Sequence, residues 1–229
     1  PEKGDSWIHK IPLFKSFNIV DTILEEVLQN KIGPGDIIRI DLNWTHHVGE
    51  MVERAGYYKG QYNMAQWYPK MVVYDEEGWH ADVFHAEGEF YGEFGDFNVK
   101  FDIPSSFIIG ASGIVIDGDP GWNSVTVDTS MDFNKWVENF DSAYVAPDAS
   151  SRRNITFLAE NVHDFAWFAD KNWLVQKGEL PLQNRSEPIT LWSFYLPKNA
   201  ELWRNSIEYL HDSGYWFSKY YGDYPYNHI

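Results

Sequence analysis

An alternating run that stops at a proline decides the fold class: Phe97-Asn98-Val99-Lys100-Phe101-Asp102-Ile103, followed by Pro104. Its apolar side chains recur at every second position, the period at which residues of a strand point to one face of a sheet. Proline has no backbone N–H, so it ends the pairing. The run therefore predicts a half-buried β-strand with one face on a core and the other in water.

Strand patterns bounded by turn residues recur in four further segments: 37–44, 108–116, 154–160 and 189–196. In the first of them one face is apolar, formed by Ile38, Ile40, Leu42 and Trp44. The second contains a glycine that we expect to mark a bend. Residues 22–28 fit a helical turn or a strand, and 122–147, the least patterned stretch, fits a long hairpin or a partly ordered excursion. Together these patterns predict a mainly β protein, a sandwich of antiparallel sheets.

The period becomes helical after Pro197. Asn199 is a plausible N-cap, and Glu201 lies in the first turn, where the helix dipole favours an acid. One helical face is apolar, formed by Trp203, Ile207, Leu210 and Phe217. We predict one long C-terminal helix from about residue 199 to residue 221, ending at Gly222. Because a long helix after a series of strands is typical of a new domain, we place a boundary between 1–197 and 198–229.

Composition narrows the classes of function. The formal net charge of −16 repels phosphate backbones, so we expect no nucleic-acid partner. The absence of cysteine excludes disulfides, thiolate zinc sites and thiol nucleophiles. No apolar run approaches the roughly 20 residues that cross a bilayer, so we expect no membrane-spanning segment.

The densest polar cluster runs from His80 to Glu89. If this segment is a strand, alternation puts His85, Glu87 and Glu89 on one side, as shared metal ligation requires. The alternative is a loop leading into a strand whose polar edge faces water. The three residues are therefore weak metal-ligand candidates.

Three stretches, taken together, resemble one family. They are residues 65–75 with 78–80 (AQWYPKMVVYD, GWH), residues 89–99 with 108–113 (EFYGEFGDFNV, IIGASG) and residues 159–167 (AENVHDFAW). Their order and spacing resemble the N-terminal β domain of bacterial zinc peptidases in the aminopeptidase N (gluzincin) family. The likeness runs from about residue 28 to the C-terminus.

This resemblance implies that residues 1–197 form a saddle-shaped β-sandwich that lacks its first strands. Residues 198–229 are then the helix and connecting segment that lead into a thermolysin-like catalytic domain. The implied function is a non-catalytic N-terminal portion of a zinc metallo-aminopeptidase, which scaffolds the catalytic domain and lines its substrate entrance. The implied partners are that domain of the same polypeptide and a peptide substrate. The resemblance also favours a periplasmic or secreted location over a cytoplasmic one.

The family's catalytic motif, His-Glu-x-x-His, is absent from the 229 residues; His85 is followed by alanine and His163 by aspartate. We therefore expect no cofactor in this chain, zinc in the missing catalytic domain, and no peptidase activity from the chain alone. In the family, a Thr-Gln-Phe-Glu-like loop of the β domain helps to hold the substrate's free amine. By resemblance, Gln66 and Tyr68 are the substrate-lining positions here, although Tyr68 stands where the family has an acid.

A stand-alone binding module is the alternative hypothesis. Aromatic side chains on a sandwich can stack on sugars, and the candidates are Trp67, Trp79 and Trp122. The terminal helix discriminates between the two hypotheses. A stand-alone module should pack the helix fully on its sheet, whereas a helix that awaits another domain should be partly exposed.

Overall fold

The computed structural model describes residues 9–10, 17–28, 30–51, 53–85, 87–123, 125–127, 131–143, 148 and 150–229. The chain is mainly β with a few helices, one of them at the C-terminus, which confirms the predicted fold class. The strands are β1 (His9–Lys10), β2 (Phe17–Val20), β3 (Ile23–Glu26), β4 (Ile38–Arg39), β5 (Ala55–Tyr58), β6 (Gln61–Met64), β7 (Tyr74–Asp75), β8 (Gly78–Trp79), β9 (Gly95–Pro104), β10 (Ile108–Ala111), β11 (Ile114–Asp117), β12 (Arg152–Val162), β13 (Trp167–Asp170), β14 (Leu174–Leu180) and β15 (Ile189–Tyr195). The helices are α1 (Phe133–Ala143), a 3-10 turn (Pro197–Asn199), α2 (Ala200–Trp203) and α3 (Ser206–Tyr221).

The chain forms two compact units. The first comprises residues 1–47 and 69–93. It contains short pairings only: β1 runs parallel to β4, and β2–β3 and β7–β8 are antiparallel hairpins. Of the two structures considered for residues 22–28, the strand is therefore the one observed, because Ile23–Glu26 pairs with Phe17–Val20.

The second unit comprises residues 48–68 and 94–229 and contains the sandwich. One antiparallel sheet has the strand order β10-β13-β6-β5, and the other has the order β11-β12-β9. The core between them takes Phe101, Ile155 and Phe157 from the second sheet and Ile109 and Ala169 from the first. Ile109, Ile155 and Phe157 are fully buried. Alternation along β9 and β12 thus builds the sandwich as the sequence predicts.

A third layer joins α3 to the β14–β15 hairpin. Its core contains Leu180, Ile189 and Leu191, and Ile207 and Leu210 of α3 pack against them. Glycine allows the close approach, because a Cβ at Gly214 would lie 2.6 Å from Leu180 Cδ2. The C-terminal residues continue this hairpin as a parallel neighbour of β15: Ile229 N donates to Thr190 O at 2.8 Å, and Trp192 N donates to Ile229 O at 2.8 Å.

The eight-residue strand predicted for 37–44 is wrong. Only Ile38–Arg39 is a strand, and its partner β1 has two residues. Ile40, Leu42 and Trp44 are exposed. Alternation predicts a half-buried strand only where a neighbouring strand accompanies it, and among the described residues no longer partner is present.

Three other segments differ in detail from their predictions. Residues 108–116 form two strands, β10 and β11, because the chain bends at Gly113. The helix predicted from residue 199 divides into α2 and α3 and ends at Gly222; Asn199 makes no side-chain capping bond to a described residue. The unpatterned stretch contains helix α1, although residues 124, 128–130 and 144–147 of that stretch lie outside the described residues.

Residues 198–229 belong to the same compact unit as the sandwich. The domain boundary at residue 197 stays a prediction.

Candidate functional site

The loop 65–68 follows β6 and carries Gln66 and Tyr68. Ala65 N donates to Arg54 O at 2.9 Å, which fixes the start of the loop. Gln66 then adopts a left-handed backbone with φ of 54°, and its side chain is exposed. A non-glycine residue in this region is held there by its surroundings. The loop geometry therefore directs one amide side chain to solvent.

Both residues after Gln66 anchor the loop to residues 164–165, almost a hundred positions later in the chain. The Trp67 indole N–H donates to Phe165 O at 3.1 Å. The Tyr68 hydroxyl donates to Asp164 Oδ1 at 2.8 Å, and Phe165 N donates to the same oxygen at 2.8 Å. The Tyr68 ring also meets Phe97 edge-on, with the centroids 5.4 Å apart. Tyr68 is therefore a structural anchor that orients a carboxylate.

Electrostatics keep the Tyr68 phenol protonated. Burial, and then the Asp164 carboxylate beside it, raise the pKa of Tyr68. A protonated phenol donates a hydrogen bond and carries no charge. In this position Tyr68 donates its hydrogen bond to Asp164, the carboxylate that the fold brings to the loop.

Replacing Tyr68 with phenylalanine is expected to lower the free energy of unfolding by about 1–3 kcal/mol, because Asp164 loses one of its two donors while partly buried. Urea denaturation measures this loss. Tyr58→Phe, a change of an exposed tyrosine in the same unit, is the matched control and should leave stability unchanged. Equal stability of both variants would contradict the anchoring role.

The weak metal-ligand candidates lie in the first unit. His85, Glu87 and Glu89 are exposed and belong to no strand, so strand alternation does not place them on one side. No three His, Asp or Glu side chains in the described part of the chain are grouped so as to hold a metal ion. The described residues therefore offer no set that fits zinc, and we derive no step through a metal here.

The same unit contains an ion pair in the β7–β8 hairpin. His80 Nε2 lies 2.8 Å from Asp75 Oδ2. The hydrogen bond between them lowers the pKa of Asp75 and raises that of His80. The His80 and Asp75 side chains are 26% and 32% exposed, so solvent screens the pair and it stabilises the hairpin only modestly.

The three tryptophans proposed as a sugar platform have different surroundings. Trp67 packs against the sandwich core, and the Trp122 indole N–H donates to Ile109 O at 2.8 Å while its ring packs on Trp192. Trp79 is exposed and pairs with Tyr74 across the hairpin, with ring centroids 4.9 Å apart. Two of the three rings are therefore partly buried against the core.

Sequence reasoning missed two features of the second unit. Asp164 was part of a stretch that resembles the family, but only the fold brings it to Tyr68. The second feature is the exposed side of α3, where Tyr209, Trp216 and Tyr220 reach solvent. Their spacing in the sequence could have indicated this row.

No protein-family model matches the chain, and no curated protein matches it. Among the described residues, no helix has the length and apolar character needed to cross a membrane.

Proposed function

We propose that this chain is the non-catalytic N-terminal portion of a zinc metallo-aminopeptidase of the aminopeptidase N family. It scaffolds a catalytic domain and lines the substrate entrance of that domain. The zinc belongs to the catalytic domain of the same polypeptide, and peptides are the substrate class. The three stretches that resemble the family suggest this assignment.

The proposal rests on one observation about the terminal helices: some of their apolar side chains are packed and others are exposed to solvent. Ile207 and Leu210 pack on the β14–β15 hairpin, while Trp203 is 49% and Phe217 is 65% exposed. In a stand-alone module the sheet should cover all four side chains. Large apolar side chains that stay exposed together usually mark an interface with a partner. Partial exposure favours a helix with a second partner.

The loop 65–68 supports the second part of the proposal. Two hydrogen bonds and a ring contact hold Trp67 and Tyr68 in place, whereas the Gln66 side chain is exposed. Because the two residues that follow it are fixed, the point at which the Gln66 side chain leaves the loop is fixed as well. Gln66 is therefore the residue of this loop that we propose meets the substrate, with its amide oxygen as the acceptor for an amine.

The test compares this chain with the longer polypeptide that its gene encodes, using aminoacyl nitroanilides with added zinc. We expect chelator-sensitive hydrolysis by the longer polypeptide and none by the 229-residue chain. In the longer polypeptide, Gln66→Ala should lower kcat/KM by about 10–100-fold, the effect of one hydrogen bond to a charged group. Gln183→Ala, at another exposed glutamine, is the matched control.

Either of two results would overturn the proposal. One is zinc-dependent hydrolysis by the 229-residue chain itself. The other is a gene that continues without a His-Glu-x-x-His segment or stops at Ile229.

A further inference from the structure

Residues 224–229 lie along the outer edge of β15, and we call this segment the C-terminal strap. Three backbone hydrogen bonds pair the strap with the strand. Thr190 N donates to Asn227 O at 2.9 Å, Ile229 N donates to Thr190 O at 2.8 Å, and Trp192 N donates to Ile229 O at 2.8 Å. The strap therefore covers N–H and C=O groups of β15 that would otherwise be an open sheet edge.

Side chains hold the strap at further points. Arg185 Nη1 donates to Tyr224 O at 2.9 Å, and Arg185 Nη2 donates to Asn227 Oδ1 at 2.6 Å. The Tyr226 hydroxyl donates to Asn161 O at 2.8 Å, which ties the strap to the end of β12. The strap is thus joined to three parts of the second unit: β15, the loop before it and the sandwich.

His228 is the residue of the strap whose charge state depends on pH in the range near neutrality. Its neighbour Ile229 packs into the core between the β14–β15 hairpin and α3. Because successive residues of an extended segment point to opposite faces, His228 lies on the other face of the sheet, beside its bridge partner Thr190. His228 Nδ1 is buried, and no described residue forms a hydrogen bond with it. Protonation makes both ring nitrogens donors, so it would bury a charged N–H without an acceptor.

The charges around the strap do not compensate for this burial. β15 contains no charged residue. On β14, Lys177 and Glu179 lie on the same face as Thr190 and have opposite charges. The other charged residues of the surrounding segments are Arg185 and Glu187 in the loop after β14, Glu160 in β12 and Asp223 before the strap. Burial lowers the pKa of His228 despite the acidic groups among them.

We propose that the C-terminal strap is a pH-sensitive element, which is docked on β15 while His228 is neutral and is released when His228 is protonated. A released histidine titrates near its ordinary pKa of about 6.5. The docked histidine has a lower pKa, so docking is fully favoured above about pH 6.5 and weakens as the pH falls below it. Release uncovers the N–H groups of Thr190 and Trp192. Every contact in this argument lies within the 229 residues, so the inference does not rest on the proposed function.

The test is amide hydrogen exchange of the 229-residue chain, followed by NMR at about pH 7.5 and about pH 5.5, one unit to either side of the ordinary histidine pKa. After correction for the intrinsic pH dependence of exchange, the amides of Trp192 and Ile229 should exchange up to about tenfold faster at the lower pH. The Leu191 amide is an internal control. Leu191 pairs with Gly178, and its N–H points toward β14, so its exchange should not change.

His228→Phe keeps an aromatic ring but cannot be protonated, so it should abolish the acid response of Trp192 and Ile229. His46→Phe, at an exposed histidine of the first unit, is the matched control and should respond like the parent chain. The His228 ring resonances of the parent chain provide a measurement that needs no variant, and their titration midpoint should lie below about 6.5. A midpoint at or above this value, exchange that is equal at the two pH values, or an acid response that persists in His228→Phe would overturn the inference. None of these results bears on the hydrolysis assay that tests the proposed function.

Discussion

Replacing Phe157 with alanine is expected to lower the free energy of unfolding by about 3–5 kcal/mol, the usual loss for a large aromatic side chain in a core. Phe157 lies in the middle strand of its sheet and is fully buried. Its ring meets Phe101 edge-on at 5.8 Å and lies 6.5 Å from Trp122, measured between centroids. Alanine would leave a cavity beside Phe101 and Trp122, and these rings can fill it only if both shift.

Urea denaturation of the 229-residue chain measures the effect. Phe168→Ala is the matched control, because Phe168 is also a phenylalanine in the second unit but is 39% exposed. We expect the control to lose less than half as much stability as Phe157→Ala. Similar losses of unfolding free energy in the two variants would contradict the conclusion that the main hydrophobic core lies between the two sheets.

The strands of the sandwich could be predicted because local pattern and tertiary environment agree there. β9, β12 and β15 were all expected within a few residues of their observed ends. Each has a long antiparallel neighbour, so its apolar side chains find a core on one face. Segment 37–44 has the same alternation and fails, because its pairing stops after two residues. Alternation shows that a segment is compatible with a half-buried strand, but the strand forms only where a partner strand pairs with it.

Helix α1 could have been predicted and was missed. Phe133, Trp136, Val137 and Phe140 recur at helical spacing. Trp136 is buried, and its ring stacks on Phe140 at 5.4 Å. The acidic residues around these positions obscured the pattern. At residues 199–221 one long helix was predicted where two are present. The sequence does not signal this break, because no glycine or proline lies between α2 and α3.

The candidate site was predictable only in part. Its loop could be located from the residues around Gln66, but the carboxylate of Asp164 is 96 positions from Tyr68 in the sequence. No local pattern predicts such a contact, because it depends on how β6 and β13 pair. The same holds for the exposed side of α3, because its residue spacing is visible in the sequence but its exposure depends on which side of the helix packs on β14 and β15.

Gly113→Ala is expected to have the other large effect, a loss of about 3–5 kcal/mol that combines backbone strain with overpacking. Gly113 stands at the corner where the chain leaves β10 in one sheet and begins β11 in the other. Its φ is 82°, a value that favours glycine. An added Cβ would meet the Leu158 carbonyl oxygen and would lie 2.8 Å from the Ala159 Cβ.

Backbone atoms of β12 cannot move away from this Cβ without breaking the pairing of Ile114 with Leu158. Gly60→Ala is a matched control: Gly60 has φ of 101° in the β5–β6 turn, and among the described residues nothing lies within 4 Å of its added Cβ. The control should lose only the strain of a left-handed alanine, about 1–3 kcal/mol. Urea denaturation of both variants separates the two contributions. Equal losses would show that β12 yields at this corner, and the close approach of the two sheets would then not require glycine.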